Sequence, residues 1–314
     1  MLCNRRDIPM TYKFAAIQPL ASLEPLFAKL DKADYRARRI LIRQYIRPAQ
    51  SRFVYRYRSV LADPKEPTGI DGHSATTLRQ IFLDNVLWLS SANDFNDPFD
   101  MVGKATAKAT LTQRKDKFTR LVNIRAASES WKKRQKMIAT LLSTSEEQLA
   151  EMMRNSIDTF RATTGICCFA GSARDILMWS HYASSHTGVC FQFERSRDFR
   201  TLSRAVTVDY VEDLPEVNWI INFEDGCKRM LLSKSKQWSY ENENRIILEG
   251  QAHSHLRIAP EALRSVILGC NASKRLHHFV DTLVAKRALT GLPPVGVYAA
   301  RRHPSRYALT IHQS

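Results

Sequence analysis

The chain has 314 residues, enough for one large domain or two modest ones, and its 44% hydrophobic and 25% charged residues are typical of a soluble globular protein. No run approaches the roughly 18 apolar residues that span a bilayer, and the N-terminus lacks a secretory signal, which predicts a cytoplasmic protein without a membrane partner. The net charge of +16 argues against an acidic surface and favours a polyanionic partner.

The positive charge is concentrated in two segments. Residues 36–58 contain eight arginines and no acidic residue, and residues 104–136 contain eleven basic and two acidic residues. In the first segment Tyr55 and Tyr57 alternate with arginines, an arrangement that suits single-stranded nucleic acid because bases stack on rings while cations bind phosphates. Both segments therefore predict contact with RNA or DNA, and the alternative is a solvated basic surface.

Residues 1–50 are predicted to form a basic helical appendage. Apolar residues recur at helical spacing from Leu23 to Leu30, and an arginine-rich helix is expected to follow and to end before Pro48. The remaining residues, 51–314, are predicted to form one α+β domain with the character of a catalytic domain.

The domain is predicted to begin with a strand. Arg52 to Val60 alternate apolar or aromatic residues with basic ones, which is the period of a strand. After a turn-rich loop, Ser74 is expected to cap a helix that runs to Leu83, and a second strand is predicted over 86–90.

Residues 104–162 are predicted to form a helical insertion, because glycine is absent between Gly103 and Gly165 and strand-forming residues become rare. A capping box is expected within Ser143–Glu147, at the start of the last helix. A short helix is expected over 175–184. Further strands are predicted at 166–170, 188–193, 206–211, 245–248, 265–268, 295–298 and 307–311. Short strands with helices at irregular intervals favour an α+β fold over a doubly wound sheet.

Familiar catalytic and metal signatures are missing from the sequence. The six cysteines form no CxxC pair and are expected to be reduced thiols, and no phosphate-binding loop, dinucleotide fingerprint, zinc-protease motif or nucleophile elbow is present. No metal is expected on this basis.

Glu241 and Glu243 are the most promising acidic pair. They are two residues apart at the head of a predicted strand, so both are expected to point to one face, together with Arg245. One interpretation is an ordinary Glu–Arg pair on a strand face. The other is a carboxylate beside aromatic walls that stabilises a cation or activates a hydroxyl, and the spacing alone does not separate the two.

Four motifs in order resemble a bacterial family of unknown function, family 2971. These are YRY at 55–57, FNDPFD at 95–100, MWSHYA at 178–183 with His186, and WSYENENR at 238–245. The resemblance covers about residues 53 to 300, and together the motifs are specific although each alone is weak. The basic arm lies outside it.

More distantly, the order of these motifs resembles the ADP-ribosyltransferase fold. That resemblance implies a split, mixed or antiparallel β-sheet that clamps NAD as a substrate. It implies that Glu243, with Glu241 assisting, contacts the ribose, and that Tyr182 stacks on the nicotinamide. Arg56 or Arg58 would hold the diphosphate. The full set of implied cofactor-binding residues is Arg56, Tyr57, Arg58, Ser90, Asn96, Ser180, His181 and Trp238.

The expected function is therefore NAD-dependent ADP-ribosyl transfer in bacterial defence or conflict. Because the flanking segments are basic, nucleic acid or a nucleic-acid-associated target is the expected acceptor. Two alternatives remain. One is a metal-dependent nuclease whose cation is held by Asp97, Asp100, Glu241 and Glu243. The other is a nucleic-acid-binding module without enzymatic activity.

Overall fold

The computed structural model describes residues 51–63, 65 and 69–314. The predicted helical appendage, 1–50, lies outside the described residues.

Two kinds of regular element build the domain. The strands are β1 (Phe53–Arg58), β2 (Val86–Leu89), β3 (Lys104–Thr106), β4 (Gly165–Phe169), β5 (Val189–Glu194), β6 (Val206–Thr207), β7 (Asp209–Val211), β8 (Glu216–Asn218), β9 (Ser233–Ser235), β10 (Asn244–Leu248), β11 (Ser254–Arg257), β12 (Leu263–Leu268), β13 (Gly296–Arg302) and β14 (Leu309–Gln313). The α-helices are α1 (Gly72–Arg79), α2 (Leu111–Arg125), α3 (Trp131–Ser143), α4 (Glu146–Thr163), α5 (Ile176–Tyr182), α6 (Phe223–Leu232) and α7 (Lys274–Leu289).

The strands form one large mixed sheet and several small sheets, which confirms the predicted α+β class. The large sheet has the order β1-β5-β12-β13-β14, with β12 and β13 parallel and the other neighbours antiparallel. A second sheet has the order β4-β10-β6. The two sheets meet where Tyr55 and Ala170 exchange backbone hydrogen bonds of 2.9 and 2.7 Å. This junction brings β4 next to the first strand, and β4 pairs in turn with β10, which begins at the end of the motif 238–245.

Two apolar cores lie on different sides of β4. One core packs α7 and the π-helical turn Gln80–Asp84 against the large sheet, with Phe82, Phe191 and Val266 at its centre. The other packs the helical insertion and α6 around Trp219, which contacts the Phe118 ring at a centroid distance of 5.7 Å. Each face of the strand is thus buried, which is why β4 reads as a continuous apolar run.

The predicted helical insertion contains the three helices α2, α3 and α4, but its first residues are not helical. Residues 104–106 form β3, which pairs in parallel with β8, because Ala105 and Thr106 pack inwards beside Val217. The last helix of the insertion is capped by Ser145, whose capping-box partner is Gln148, so the cap lies slightly later than predicted.

The helix cap predicted at Ser74 is wrong. Asp71 caps α1 instead, because its carboxylate accepts hydrogen bonds from the backbone N–H groups of His73 and Ser74. Ser74 is buried in the first turn, where its hydroxyl accepts a hydrogen bond from the Leu61 N–H at 3.1 Å.

The predicted strand 206–211 is divided. Residues 206–207 pair with β10 and residues 209–211 pair with β9 in a separate small sheet. The break turns the Tyr210 hydroxyl towards the backbone N–H of Glu243, just before β10 begins.

Among the described residues, no helix is both long enough and apolar enough to cross a membrane.

Candidate active site

A buried lysine lies at the centre of the candidate site. Lys234, in β9, is 7% exposed, and its Nζ lies 2.6 Å from Glu241 Oε2, 3.3 Å from Glu243 Oε2 and 3.4 Å from Asp100 Oδ2. All three carboxylates are themselves buried. A charge that is buried this deeply is stable only if it is paired and hydrogen-bonded. Lys234 and the three carboxylates therefore stabilise one another.

Arg245 is the second buried cation of the network. Its Nη2 donates to both carboxylate oxygens of Asp100 at 2.8 Å, and its Nε donates to Glu243 Oε1 at 2.8 Å. Nη2 also donates to Glu243 Oε2 at 2.9 Å, and Nη1 donates to the Leu231 carbonyl at 3.1 Å. Such two-pronged contacts are charge-assisted and geometrically restrictive, so Arg245 fixes both acids rigidly.

The two glutamates have opposite pKa shifts. Burial acts to raise the pKa of Glu243, but the charges and hydrogen bonds of Arg245, with Lys234, outweigh it and hold the pKa at about 2. Burial raises the pKa of Glu241, and the repulsion from Glu243 adds to this, against the attraction of Lys234. Glu243 is therefore the permanently ionised member, and Glu241 is the more readily protonated one.

The local fold explains how the two glutamates come together. Glu241 ends a 3-10 helix, Lys236–Glu241, and Asn242 adopts a left-handed conformation with φ 44° before β10 begins. The prediction that both glutamates alternate along one strand is therefore wrong, although they do converge. Gly171 is required here, because a Cβ at this position would lie 2.3 Å from the Asn242 Nδ2.

Glu241 connects the buried network to a partly exposed aromatic rim. The Tyr182 hydroxyl donates to Glu241 Oε1 at 2.6 Å, and the exposed Asn96 lies next to the Tyr182 side chain. The rings of His181, Trp238 and Tyr240 surround this position, with neighbouring centroids 5.9 to 6.2 Å apart.

The indole of Trp238 also covers the central lysine. Lys234 Nζ lies 5.0 Å from the centroid of that ring, close enough for a cation–π contact. Trp238 and Tyr240 are half-buried and His181 is exposed. The rim is therefore a set of aromatic faces next to a carboxylate, which suits a planar ring that carries positive charge.

The predicted residues of the first strand lie elsewhere. Arg56 Nη1 contacts Cys167 Sγ, and Arg56 Nη2 donates to the Trp88 carbonyl at 2.9 Å. The Cys168 thiol, in contrast, lies near Glu243, whose negative charge adds to burial in raising the pKa of the thiol. Neighbouring residues of a strand point to opposite faces, so Arg56 and Glu243 approach β4 from opposite sides.

The other predicted cofactor-binding residues of this region have structural contacts. The Tyr57 hydroxyl donates to the Ser172 carbonyl at 2.8 Å, and its ring packs edge-on against Trp179. Ser90 forms a backbone bridge to Ile166. Arg58 is half-buried at the end of β1, where its backbone pairs with Val189.

Ser180 forms a hydrogen bond with a histidine, but not one poised for nucleophilic catalysis. Its hydroxyl donates to the Ile176 carbonyl at 3.0 Å, so the 3.2 Å contact to His186 Nε2 uses the serine oxygen as an acceptor. His186 Nδ1 is buried without a hydrogen-bond partner, which suits the tautomer that carries its proton on Nε2. The pair therefore holds the end of α5.

The sequence pattern does not identify three partners of the glutamates. Lys234 is not among the predicted site residues, Tyr210 is predicted only as part of a strand, and Asp100 is predicted only as a metal ligand of the nuclease alternative. Tyr210 contributes by accepting a hydrogen bond from the Glu243 backbone N–H at 2.8 Å. In the sequence, only the FNDPFD motif points to Asp100. The motif at 238–245 does not include Lys234 and so does not point to it.

The low pKa of Glu243 predicts a pH-dependent part of the stability. A folded-state pKa of about 2 lies below the ordinary 4.5, so the contribution is present above pH 4.5 and is lost as the pH falls towards 2. At neutral pH it is worth about 3 kcal/mol of unfolding free energy. Glu241, whose pKa is raised, contributes with the opposite sign.

The measurement is urea unfolding of the wild type and Glu243→Gln between pH 7 and pH 3. The stability difference between them is expected to be largest at pH 7 and to shrink on acidification. Glu212→Gln is the control, because the Glu212 side chain is 74% exposed. A difference that stays constant over this range would contradict the assignment.

The nuclease alternative requires a cluster of metal ligands. Among residues 51–63, 65 and 69–314, no group of three His, Cys, Asp or Glu side chains is arranged to hold a metal ion. Asp100, Glu241 and Glu243 do converge, but the ammonium group of Lys234 fills the position where their oxygens meet. The ammonium group therefore already neutralises these carboxylates at the position that a divalent cation would take.

Comparisons with known proteins give one match. The model of a family described as "Protein of unknown function (DUF2971)" matches residues 178–246. No match was found among curated proteins or among solved structures, so the resemblance to ADP-ribosyltransferases stays a prediction. The matched segment carries Tyr182, Lys234, Glu241 and Arg245. The predicted resemblance to this family of unknown function is thereby confirmed for residues 178–246.

Proposed function

We propose that the protein is an NAD-dependent ADP-ribosyltransferase-like enzyme and that Glu241 is its catalytic carboxylate. The observation that carries the proposal is the position of Glu241. It is the one acid of the network that reaches the aromatic rim, where it accepts the Tyr182 hydroxyl at 2.6 Å. Glu243 is instead held by hydrogen bonds from Arg245 and Lys234.

The proposed chemistry is cleavage of the bond between nicotinamide and ribose. The electron pair of that bond leaves with nicotinamide, which loses its ring charge, and positive charge develops at the ribose C1′. A carboxylate next to this carbon stabilises the developing cation. An acceptor hydroxyl or water then attacks C1′ and gives up its proton to Glu241 or to solvent.

The surrounding groups support this role. Lys234 and Tyr182 each hold one oxygen of Glu241, which orients the carboxylate before substrate binds. The rings of His181, Trp238 and Tyr240 offer faces on which a cationic nicotinamide ring can stack. Glu243 and Arg245 act as positioning residues, because they hold Lys234 and the start of β10 in place.

The test is to incubate the purified protein with isotopically labelled NAD, together with RNA, DNA or lysate. Nicotinamide release and label transfer are measured. Wild type is expected to consume NAD, and Glu241→Gln is expected to lower the rate on the order of a hundredfold or more, because the variant keeps the shape of the side chain and removes its charge. Glu212→Gln should retain the wild-type rate.

Two results would contradict the proposal. One is the absence of NAD loss and label transfer with the wild type. The other is a Glu241→Gln variant that is folded by circular dichroism and as active as the wild type. An activity that disappears with Glu243→Gln but not with Glu241→Gln would reverse the roles of the two glutamates.

A further inference from the structure

The hairpin of α2 and α3 exposes large apolar side chains at one end. Trp131, the first residue of α3, is 69% exposed, and Ile124, next to the last residue of α2, is 72% exposed. Trp179 and Trp219, in contrast, are 0% exposed. Because a five-residue turn joins the two helices here, Trp131 and Ile124 are exposed at the same end of the hairpin, and exposed apolar groups that occur together can mark a binding surface.

These side chains are not needed to dock the hairpin. Phe118 and Val122 of α2, and Ile138 and Leu141 of α3, already form the buried faces of the two helices. They belong to the core that surrounds Trp219. The apolar stripe that folding requires is therefore complete without the exposed residues.

Basic side chains flank the exposed apolar ones. Arg120 is four residues before Ile124, and Lys132 is four residues before Lys136, so the members of each pair are neighbours on their helix. All four are exposed. The first turn of α3 contains no acidic residue. Glu129, in the connecting turn, is paired with Lys133 at 2.7 Å.

We propose that this end of the hairpin, formed by Arg120, Ile124, Trp131, Lys132 and Lys136 and here named the hairpin tip, binds single-stranded nucleic acid. A single strand presents both unpaired base faces and regularly spaced phosphates. The Trp131 indole stacks on a base while Lys132, Lys136 and Arg120 contact the flanking phosphates. The inference does not depend on the proposed NAD chemistry.

An anionic membrane is the rival partner, and the arrangement suits it less. Membrane-surface helices insert a continuous apolar face, whereas the apolar faces of α2 and α3 are packed inside the protein. Leu111, another exposed apolar residue, lies at the opposite end of α2 and so does not extend the tip. A single strand requires only separate stacking surfaces between cations, and the Trp131 ring offers one.

The test measures fluorescence anisotropy of labelled oligo(dT) and oligo(U) with the full chain over a range of salt concentrations. Trp131→Ala is expected to weaken binding about tenfold, because one stacking contact is lost. Lys132→Gln/Lys136→Gln is expected to weaken binding and to reduce the slope of log K against log salt by about 1.4, since two phosphate contacts on a single strand are lost.

The matched control is Lys274→Gln/Lys286→Gln, which removes the same charge from exposed positions of α7. This control should leave unchanged both the slope of log K against log salt and the contribution of Trp131 to the affinity for the oligonucleotides. Variants of the hairpin tip that bind like this control would overturn the proposal. The proposal would also fail if the wild type did not bind either oligonucleotide but did bind phosphatidylserine vesicles, and if Trp131→Ala abolished that vesicle binding.

Discussion

Arg245→Met is expected to lower the free energy of unfolding by about 3–5 kcal/mol, the usual effect of removing one partner of a buried ion pair. Arg245 is 0% exposed and neutralises both Asp100 and Glu243. Methionine fills much of the same space but leaves these two carboxylates with Lys234 as their remaining cation. Urea denaturation at pH 7 would measure the loss.

Arg264→Met is the matched control for that variant. The Arg264 side chain is 38% exposed and pairs with Glu194 at 3.5 Å, so its removal is expected to cost less than about 1 kcal/mol. Removing the charges together, in Arg245→Met/Asp100→Asn/Glu243→Gln, should recover much of the loss. If Arg245→Met were as mild as the control, the buried network would not contribute to stability as described.

Lys234→Met is expected to have a similar cost at pH 7, about 3–5 kcal/mol, for the same reason. The variant leaves Asp100, Glu241 and Glu243 with Arg245 alone. The repulsion raises the pKa of Glu241 further above its ordinary value. A group whose folded-state pKa is raised stabilises the fold below its unfolded pKa and loses that contribution as the pH rises, so the destabilisation should shrink between pH 7 and pH 5.

Lys236→Met provides a control two residues away. Lys236 is 58% exposed and pairs with the exposed Glu212, so its replacement should change stability by less than about 1 kcal/mol at either pH. Unfolding curves at both pH values give the comparison. A Lys234→Met defect that is independent of pH would argue that lost packing, and not uncompensated charge, is the cause.

The strands around the site were predictable because their residues are locally unambiguous. Runs such as 166–170 and 188–193 combine aromatic, β-branched and small apolar residues and start at or just after a glycine, and both form strands within a residue or two of the prediction. The helix α6 could also have been found, since Phe223, Cys227 and Met230 recur at helical spacing.

The partners in the charge network were not predictable from local pattern. Lys234 lies in a three-residue strand between two serines, and β9 pairs in parallel with β7, which is separated from it by β8 and α6. Nothing within its own segment marks it as buried. Asp100 follows a turn motif that explains an acidic residue by itself, so only the tertiary fold shows that it meets Arg245.

The predicted convergence of the Glu241 and Glu243 side chains is observed, but its predicted cause, alternation along one strand, is wrong. Strand alternation would place both on one face, but the left-handed Asn242 lies between a 3-10 helix and a strand. Such a bend depends on Gly171 opposite it, a position from a separate segment of the chain. Tertiary contacts of this kind override the local period.

The contact between Asp100 and Arg245 also has a consequence for cooperativity. The two residues are 145 positions apart, and the helical insertion lies in the loop that their contact closes. Closing a loop of this length costs chain entropy that local contacts do not repay. Arg161, in α4 of the insertion, donates to the Asp100 carbonyl at 3.3 Å, so opening the insertion is expected to loosen the contact between Asp100 and Arg245 and to couple the insertion and β10 during unfolding.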